Sequence, residues 1–393
     1  MSLEDLGMEH QLTLNTADLS SFQIRRDFLR DPACEDESYV RQYDRTTLWY
    51  DAFWRNGRVI LVCPKLKNFE PVVRSSQFHL DQKPVRISRV RHFSRHDIIE
   101  LKSRRCPQTV SITSDEFEIA TSVTRAELPR FANLNAHFTM SLNNNLEWIR
   151  DFASFHVRTQ GLQAMVLFDN GSTDYPVSAI EERLRGVGLV DFLVVSVPLP
   201  YGRTVRKTEN HDGRAQFLHT SLMNIARLRL LGHSRAVLNV DIDELVWSDG
   251  ASVFDKAATS WKGFATFRGE WRHPINRYAK RSFHADHDHV DIQPGDCPRK
   301  YCINPRGLLG WKSWDVHSLE PLRIEKLLRL SKRHRTDIGY LHCSRVTTDW
   351  KFQAGGGTHP SGIARRKTDE RETQFDPVTR AILDSALSRR RAG

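Results

Sequence analysis

The stretch Ala236-Val237-Leu238-Asn239-Val240-Asp241-Ile242-Asp243-Glu244-Leu245-Val246-Trp247 decides the fold. Its first five residues form a nearly continuous apolar run, the mark of a strand covered on both faces, and they predict a strand over Arg235–Val240. Three carboxylates follow around a single isoleucine before the apolar character resumes. Asp-x-Asp alone is usually an ordinary surface turn. Between a buried strand and Leu245-Val246-Trp247, three acids need a reason, and a hard divalent cation held beyond the strand end supplies one.

Outward from this run the pattern repeats. Met165–Phe168 is a second continuous apolar strand, ending in Asp169-Asn170-Gly171-Ser172-Thr173-Asp174. It is preceded by a strand candidate at His137–Leu142 and by helical spacing from Leu146 through His156. A helix at Ser178–Arg185 and a strand at Phe192–Val197 follow it. An amphipathic helix is then expected, capped by Asp212 and ending near Gly232, because Phe217, Leu218, Leu222, Ile225 and Leu228 recur at three- and four-residue spacing. Such strand–helix–strand alternation implies parallel pairing through right-handed crossovers, hence an α/β domain that binds ligands beyond the carboxyl ends of its strands. Both acidic motifs fall on that edge.

The first part of the chain reads differently. Short β-branched and aromatic runs (Thr46–Trp54, Arg58–Cys63, Val85–Val90, Gln108–Ile112) alternate with turn residues, and a helical period is hard to find. The organisation expected is an N-terminal β-rich module over residues 1–130, an α/β domain over 131–358 and a charged, partly helical, exposed tail over 359–393.

Composition narrows the class. With 393 residues, 39% apolar and 27% charged, the chain is long enough for a full core and unlike a disordered or fibrous protein. Its net charge of +10 favours phosphate, nucleic acid or anionic headgroups as partners, although widely spread basic residues are also what a solvated surface carries. Six cysteines without dense spacing point to reduced thiols. The N-terminus lacks the pattern of a secretory leader and no apolar stretch approaches a membrane span, so the expectation is a cytoplasmic chain, with peripheral membrane contact left open.

Asp241 and Asp243 are the candidate ligands for Mn²⁺ or Mg²⁺, which would offset the charge that appears on a departing diphosphate. Asp169 could accept a hydrogen bond from a pyrimidine base, and the helix start after Gly171 could offer backbone donors to a nucleotide; an Asn-Gly turn with capping Ser and Asp is the plainer reading. The run His284–Asp291 with Cys297 and Cys302 has enough ligands for zinc, though its spacing suits a polar or exposed loop better.

Together these segments resemble glycosyltransferases of the GT-A fold, closest to family 92 and family 2-like enzymes, which share a strand ending in Asp-Asn-x-Ser-x-Asp and a later Asp-x-Asp-Glu. Asn144, Asp151-Phe152, His156, Gly161 and Asp169 fall in the family's register, while Asn145 stands where Glu is usual and Asp151-Phe152 replaces Glu-Trp. The resemblance covers roughly residues 136–355. It implies a Rossmann-like nucleotide-diphospho-sugar transferase domain using a nucleotide sugar, UDP-linked by family habit, and a glycan or lipid-linked acceptor. Asn144, Asp169, Asn170, Asp174 and Gln216 would then meet the donor. Arg299–Pro305, His317 and Leu341–Ser344 look like later family elements, so Lys300 joins the donor contacts and His317 or His342 is a candidate third metal ligand, though a lone histidine is more often structural. Lys351, beside Gly355-Gly356-Gly357, could cover phosphates or belong to a linker. An inverting transfer needs a base, for which Glu270, before Trp271, is the candidate, with Glu244 and Asp286 as rivals and a surface carboxylate as the bland alternative. Two other functions stay open: a nucleotidyltransferase of related fold, which the lack of a Gly-rich phosphate loop in Ser141–Asn145 disfavours, and a non-catalytic basic binding protein, for which no nucleic-acid motif is found.

Overall fold

The computed structural model describes residues 9–34, 37–202, 215–276, 281–293, 295, 297–320, 337–348 and 372–387. Among these, eleven strands form one sheet. They are β1 (Gln11–Thr13), β2 (Asn135–Ser141), β3 (Ala164–Asp169), β4 (Asp191–Ser196), β5 (Ala236–Asn239), β6 (Glu244–Ser248), β7 (Phe264–His273), β8 (His289–Asp291), β9 (Arg299–Ile303), β10 (Ile338–Cys343) and β11 (Thr373–Phe375). The order β1-β4-β3-β2-β5 is parallel throughout. Beyond β5 the sheet continues antiparallel through β9, β7, β8 and β11, while β10 lies parallel to β7 and antiparallel to β6.

The buried strands are the ones the continuous apolar runs predict: all six residues of β3 and all four of β5 are buried. Three helices follow from the helical periods: α1 (Leu146–Gln160), α2 (Val177–Leu184) and α3 (Phe217–Ile225). Asn145 caps α1 by accepting from Glu147 N, and Gly161 ends it at φ +69, a left-handed turn that glycine enters without strain. The Asp212 cap expected for α3 lies outside the described residues. After α3 the chain makes one π-turn, Ala226–Leu230, closed by Leu231 N donating to Ala226 O at 2.7 Å.

Because β2 to β4 step one way across the sheet and β5 returns to the other side of β2, the chain has its topological switch between β2 and β5. Open α/β sheets bind ligands outside the strand ends at that point.

The N-terminal residues form a four-stranded antiparallel sheet and a five-stranded one that is antiparallel except where Thr124–Arg125 pairs parallel with Asp51–Arg55, with the helices Glu37–Gln42 and Phe69–Ser75 that the sequence pattern did not indicate. They also join the large sheet: β1 pairs with β4, and Tyr50, Phe53, Ile60 and Val62 share a core with Phe138, Val166, Leu222 and Ile225. The described part of the C-terminal segment differs from the exposed tail expected. Strand β11 extends the sheet, and α4 (Pro377–Asp384) packs inward with Leu383, Ala386 and Leu387 in the main core.

A buried ion pair ties the N-terminal sheet to the π-turn. Arg229 Nη1 lies 2.7 and 2.9 Å from the two Asp51 oxygens, both side chains are fully buried, and Arg229 Nη2 donates to Thr124. Removing one partner strands a buried charge. Asp51→Ala is expected to lower stability by about 3–5 kcal/mol in equilibrium denaturation, with the Arg229→Met, Asp51→Ala double variant less affected than the sum of the two singles.

Candidate active site

The turn after β5 folds on itself through its own side chains. Glu244 N donates to Asp241 O at 3.0 Å, and Asp241 N donates to Glu244 Oε2 at 2.8 Å. Lys300, the second residue of β9 and 2% exposed, reaches beneath the turn. Its Nζ lies 2.9 Å from Asp241 Oδ2 and 2.9 Å from Glu244 Oε2. Burial works against charge on Lys300, yet the two carboxylates outweigh it and hold the ammonium above its ordinary range. Burial also raises the Glu244 carboxyl to about 7, with Lys300 opposing the rise.

Register brings the remaining groups together. Glu244 opposes His342 across β6 and β10, and His342 opposes Trp271 across β10 and β7, so the three side chains share one face. His342 stacks on Trp271 with ring centroids 3.8 Å apart. Its Nε2 is 3.1 Å from Asp243 Oδ2, and its Nδ1 is 3.3 Å from Cys297 Sγ. Gly269 makes room for this packing, since a Cβ there would come within 2.2 Å of the Tyr340 ring, whose hydroxyl donates to Pro298 O at 2.6 Å.

Among the described residues, Asp243, Glu244 and His342 are the one group of three ligating side chains, their donor atoms all within 4.8 Å of one another. Two carboxylates and an imidazole fit Mn²⁺, and the Cys297 sulfur beside the other ring nitrogen occupies the place where a metal-bound histidine keeps its orienting partner.

Buried histidines hold the backbone of this turn. His137 Nε2 donates to Val240 O at 3.0 Å and His284 Nε2 to Ile242 O at 2.8 Å, while His156 Nε2 accepts from Val246 N at 3.1 Å. Burial pushes His137 down to about 4 and His156 to about 3, so both stay uncharged beside the acidic turn.

The other residues picked from the sequence are placed as follows. Asp241 is engaged by Lys300 and stands outside the group of three. His317 is exposed, with Nδ1 against Arg299 O, and is also outside it. Glu270 points to the face opposite Trp271 and pairs with Arg272 at 2.8 Å, so the structure does not bring it to the cluster. Asp169 accepts from the Ser172 amide and hydroxyl, Asn170 donates to Val197 O and Leu199 O, and Asn143 Oδ1 takes the Thr173 and Asp174 amides. The helix starts only at Val177, so these amides are not open donors. Asn144 donates to Ser141 Oγ, and Gln216 accepts from Arg95 at 3.4 Å. Lys351 and Gly355–Gly357 lie outside the described residues. The zinc candidates are dispersed: His287 Nδ1 donates to Phe283 O and its Nε2 accepts from Arg345 N, and Cys302 is buried in β9 with its thiol pushed up by burial. The sequence reading missed Cys297 as the partner of His342, a contact between a loop residue and a β10 residue 45 positions further along the chain. Cys63, Cys106, Cys297, Cys302 and Cys343 are free.

A small pocket opens beside the turn, lined by Thr139, Met140, His219, Met223, Asn239 and Asp241. It lies at the switch between β2 and β5, and Thr139 Oγ1 is buried there without a hydrogen-bond partner among the described residues. No helix among the described residues is long and apolar enough to cross a membrane.

Burial disfavours the charged His342 ring, but Asp243 and Cys297 override it and raise His342 to about 10. A pKa raised on folding adds stability that is fully present below the unfolded value near 6.5 and is lost as pH rises through about 10. In EDTA, the chain is therefore expected to lose stability between these pH values by thermal melting, and His342→Gln should flatten that part of the profile.

No protein-family model and no curated protein matches the chain. Among solved structures it is similar to the galactosyltransferase LgtC in complex with donor and acceptor sugar analogs, at TM-score 0.26 and 17% identity over 46% of this chain and 60% of that one. It is similar also to an active-site mutant of LgtC, at TM-score 0.26 and 14% identity over 65% and 84% of the two chains. The chain thus spans less than two thirds of the first of these. At that degree of overlap the likeness carries no argument about activity.

Proposed function

We propose that the chain is a metal-dependent glycosyltransferase that moves a sugar from a nucleotide donor, UDP-linked, to a glycan or lipid-linked acceptor. The observation that carries this reading is the Asp243, Glu244 and His342 group standing just past β5, beside the switch-point pocket. It is supported by the resemblance of Asp241–Glu244 and Asp169–Asp174 to the corresponding motifs of GT-A enzymes.

In this reading Asp243 and His342 hold the cation and Glu244 completes the set, while Lys300 keeps Asp241 and Glu244 in place. The bound cation would offset the charge developing on the diphosphate. The His342–Trp271 stack offers a flat aromatic surface next to the cation on which a sugar ring could lie. Thr139 Oγ1 and Asn239 line the pocket with polar atoms for the donor. Glu270 is turned away and paired with Arg272, which leaves its rivals Glu244 and Asp286 for the role of general base.

Two outcomes test this. With a panel of UDP-sugars and Mn²⁺, the purified chain is expected to hydrolyse or transfer one donor, and Asp243→Ala or EDTA should reduce the rate by roughly 10²–10³-fold. Activity indifferent to both would remove the metal assignment. Second, His342 and Glu244 must lose protons to bind a cation, so Mn²⁺ affinity measured calorimetrically should rise steadily from pH 6 to 9.

A further inference from the structure

The edge of the large sheet opposite the carboxylate turn carries a surface of a different kind. β9 runs antiparallel to β5 with Ile303 opposite Val237, and β7 begins with Phe264 opposite Ile303. The chain entering β7 and the chain leaving β9 therefore meet at the amino end of β5. Their backbones touch there: Asn304 N donates to Gly263 O at 2.8 Å, and a Cβ on Gly307 would lie 2.8 Å from Gly263 Cα.

This contact sets two loops side by side, and both present large apolar side chains to solvent. Trp261 is 71% exposed, Leu308 57% and Trp311 61%. Among the described residues these are the two exposed tryptophans. Scattered single apolar residues are ordinary on a surface, whereas three on adjoining loops mark a place that docks against something.

Cations surround them. Lys262 Nζ lies 4.9 Å from the centre of the Trp261 ring, and the buried Lys312 lies 5.3 Å from that of Trp311. Arg306, exposed on the second loop, donates to Asn133 Oδ1 at 2.8 Å. Among the described residues no carboxylate pairs with Lys262 or Arg306, and the acid nearest to Trp261 in sequence, Asp255, is taken by Arg235. The positive surface continues onto the N-terminal sheet. Asn133 N donates to His233 O at 3.0 Å, and a Cβ on the preceding Gly232 would lie 3.5 Å from Arg55 Nη1. Register then lines up Arg55, Arg58 and Lys102 across three neighbouring strands, with Glu100 answering Arg58 alone of the three.

A basic surface with exposed tryptophans suits an anionic bilayer or a nucleic acid, and the rings favour the bilayer. An ammonium on one face of each indole leaves that face closed to a stacking base, and Leu308 adds apolar area that a phosphate backbone does not use. Tryptophan beside lysine with an apolar neighbour is instead what rests at the headgroup level of a membrane. We propose that Trp261, Leu308 and Trp311, with Lys262 and Arg306, form a docking surface for an anionic lipid bilayer. The rings enter the headgroup layer, the two cations face lipid phosphates, and the row from Arg55 to Lys102 adds attraction at longer range. The surface lies at the other edge of the sheet from Asp243 and is independent of the proposed catalytic function.

The test is co-sedimentation of the full chain with phosphatidylcholine vesicles with and without phosphatidylglycerol. Binding is expected to the anionic vesicles alone and to weaken as salt rises. Lys262→Gln and Arg306→Gln should each weaken it about fivefold. The Trp261→Ser, Trp311→Ser double variant should weaken it by roughly tenfold or more, with the melting temperature confirming that this variant is folded. Asp243→Ala should bind as the wild type does. Equal binding to neutral vesicles, full binding by the double tryptophan variant, or loss of binding in Asp243→Ala overturns the proposal. So does capture of a single-stranded RNA without any binding to vesicles, which assigns the surface to nucleic acid.

Discussion

The candidate site depends on one buried cation. Asp241, Asp243 and Glu244 lie within four residues, and three carboxylates so close repel one another unless something positive stands beneath them. Lys300 does this from β9, bonding Asp241 and Glu244 at 2.9 Å each, and it reaches them because β9 pairs with β5. The turn is thereby fixed with Asp243 left facing His342. A buried ammonium is tolerable only when its partners are both present, so strand pairing and site geometry enforce each other.

Three strands then complete the arrangement without any adjacency in sequence. Glu244, His342 and Trp271 come from β6, β10 and β7 and meet because register places them on one face. Behind them, His137, His284 and His156 satisfy the backbone of the turn, and burial keeps His137 and His156 neutral. Charged partners at those positions would compete with the ligand set; uncharged imidazoles give hydrogen bonds and leave the local field to the carboxylates.

The N-terminal sheets are joined to the α/β domain more closely than a separate module would be. A shared apolar core, the β1–β4 pairing and the Arg229–Asp51 ion pair all cross between them. The π-turn after α3 is the meeting point, and its extra residue brings both Arg227 and Arg229 inward.

The sequence by itself determined the elements and the edge that matters. Continuous apolar runs mark β3 and β5 because strands covered on both faces exclude polar residues, and the 3.6-residue period marks α1 and α3 because one helix face must be buried. Asp243 was legible as a metal-ligand candidate from its place after the strand, His342 through the family resemblance, and Glu244 only as a rival general base. What the sequence did not decide is which candidates share a site. Glu270 and Trp271 are neighbours in the chain, yet a strand turns successive side chains to opposite faces, so Trp271 joins His342 and Glu270 goes to Arg272. Asp169 reads as a nucleotide contact, and only the fold adds that it closes its own turn on Ser172. The role of Cys297 and the joining of Trp261, Leu308 and Trp311 into one surface appear only after strands and loops distant in sequence are packed together, because hydrogen-bond partnership and shared surface are properties of three-dimensional neighbours.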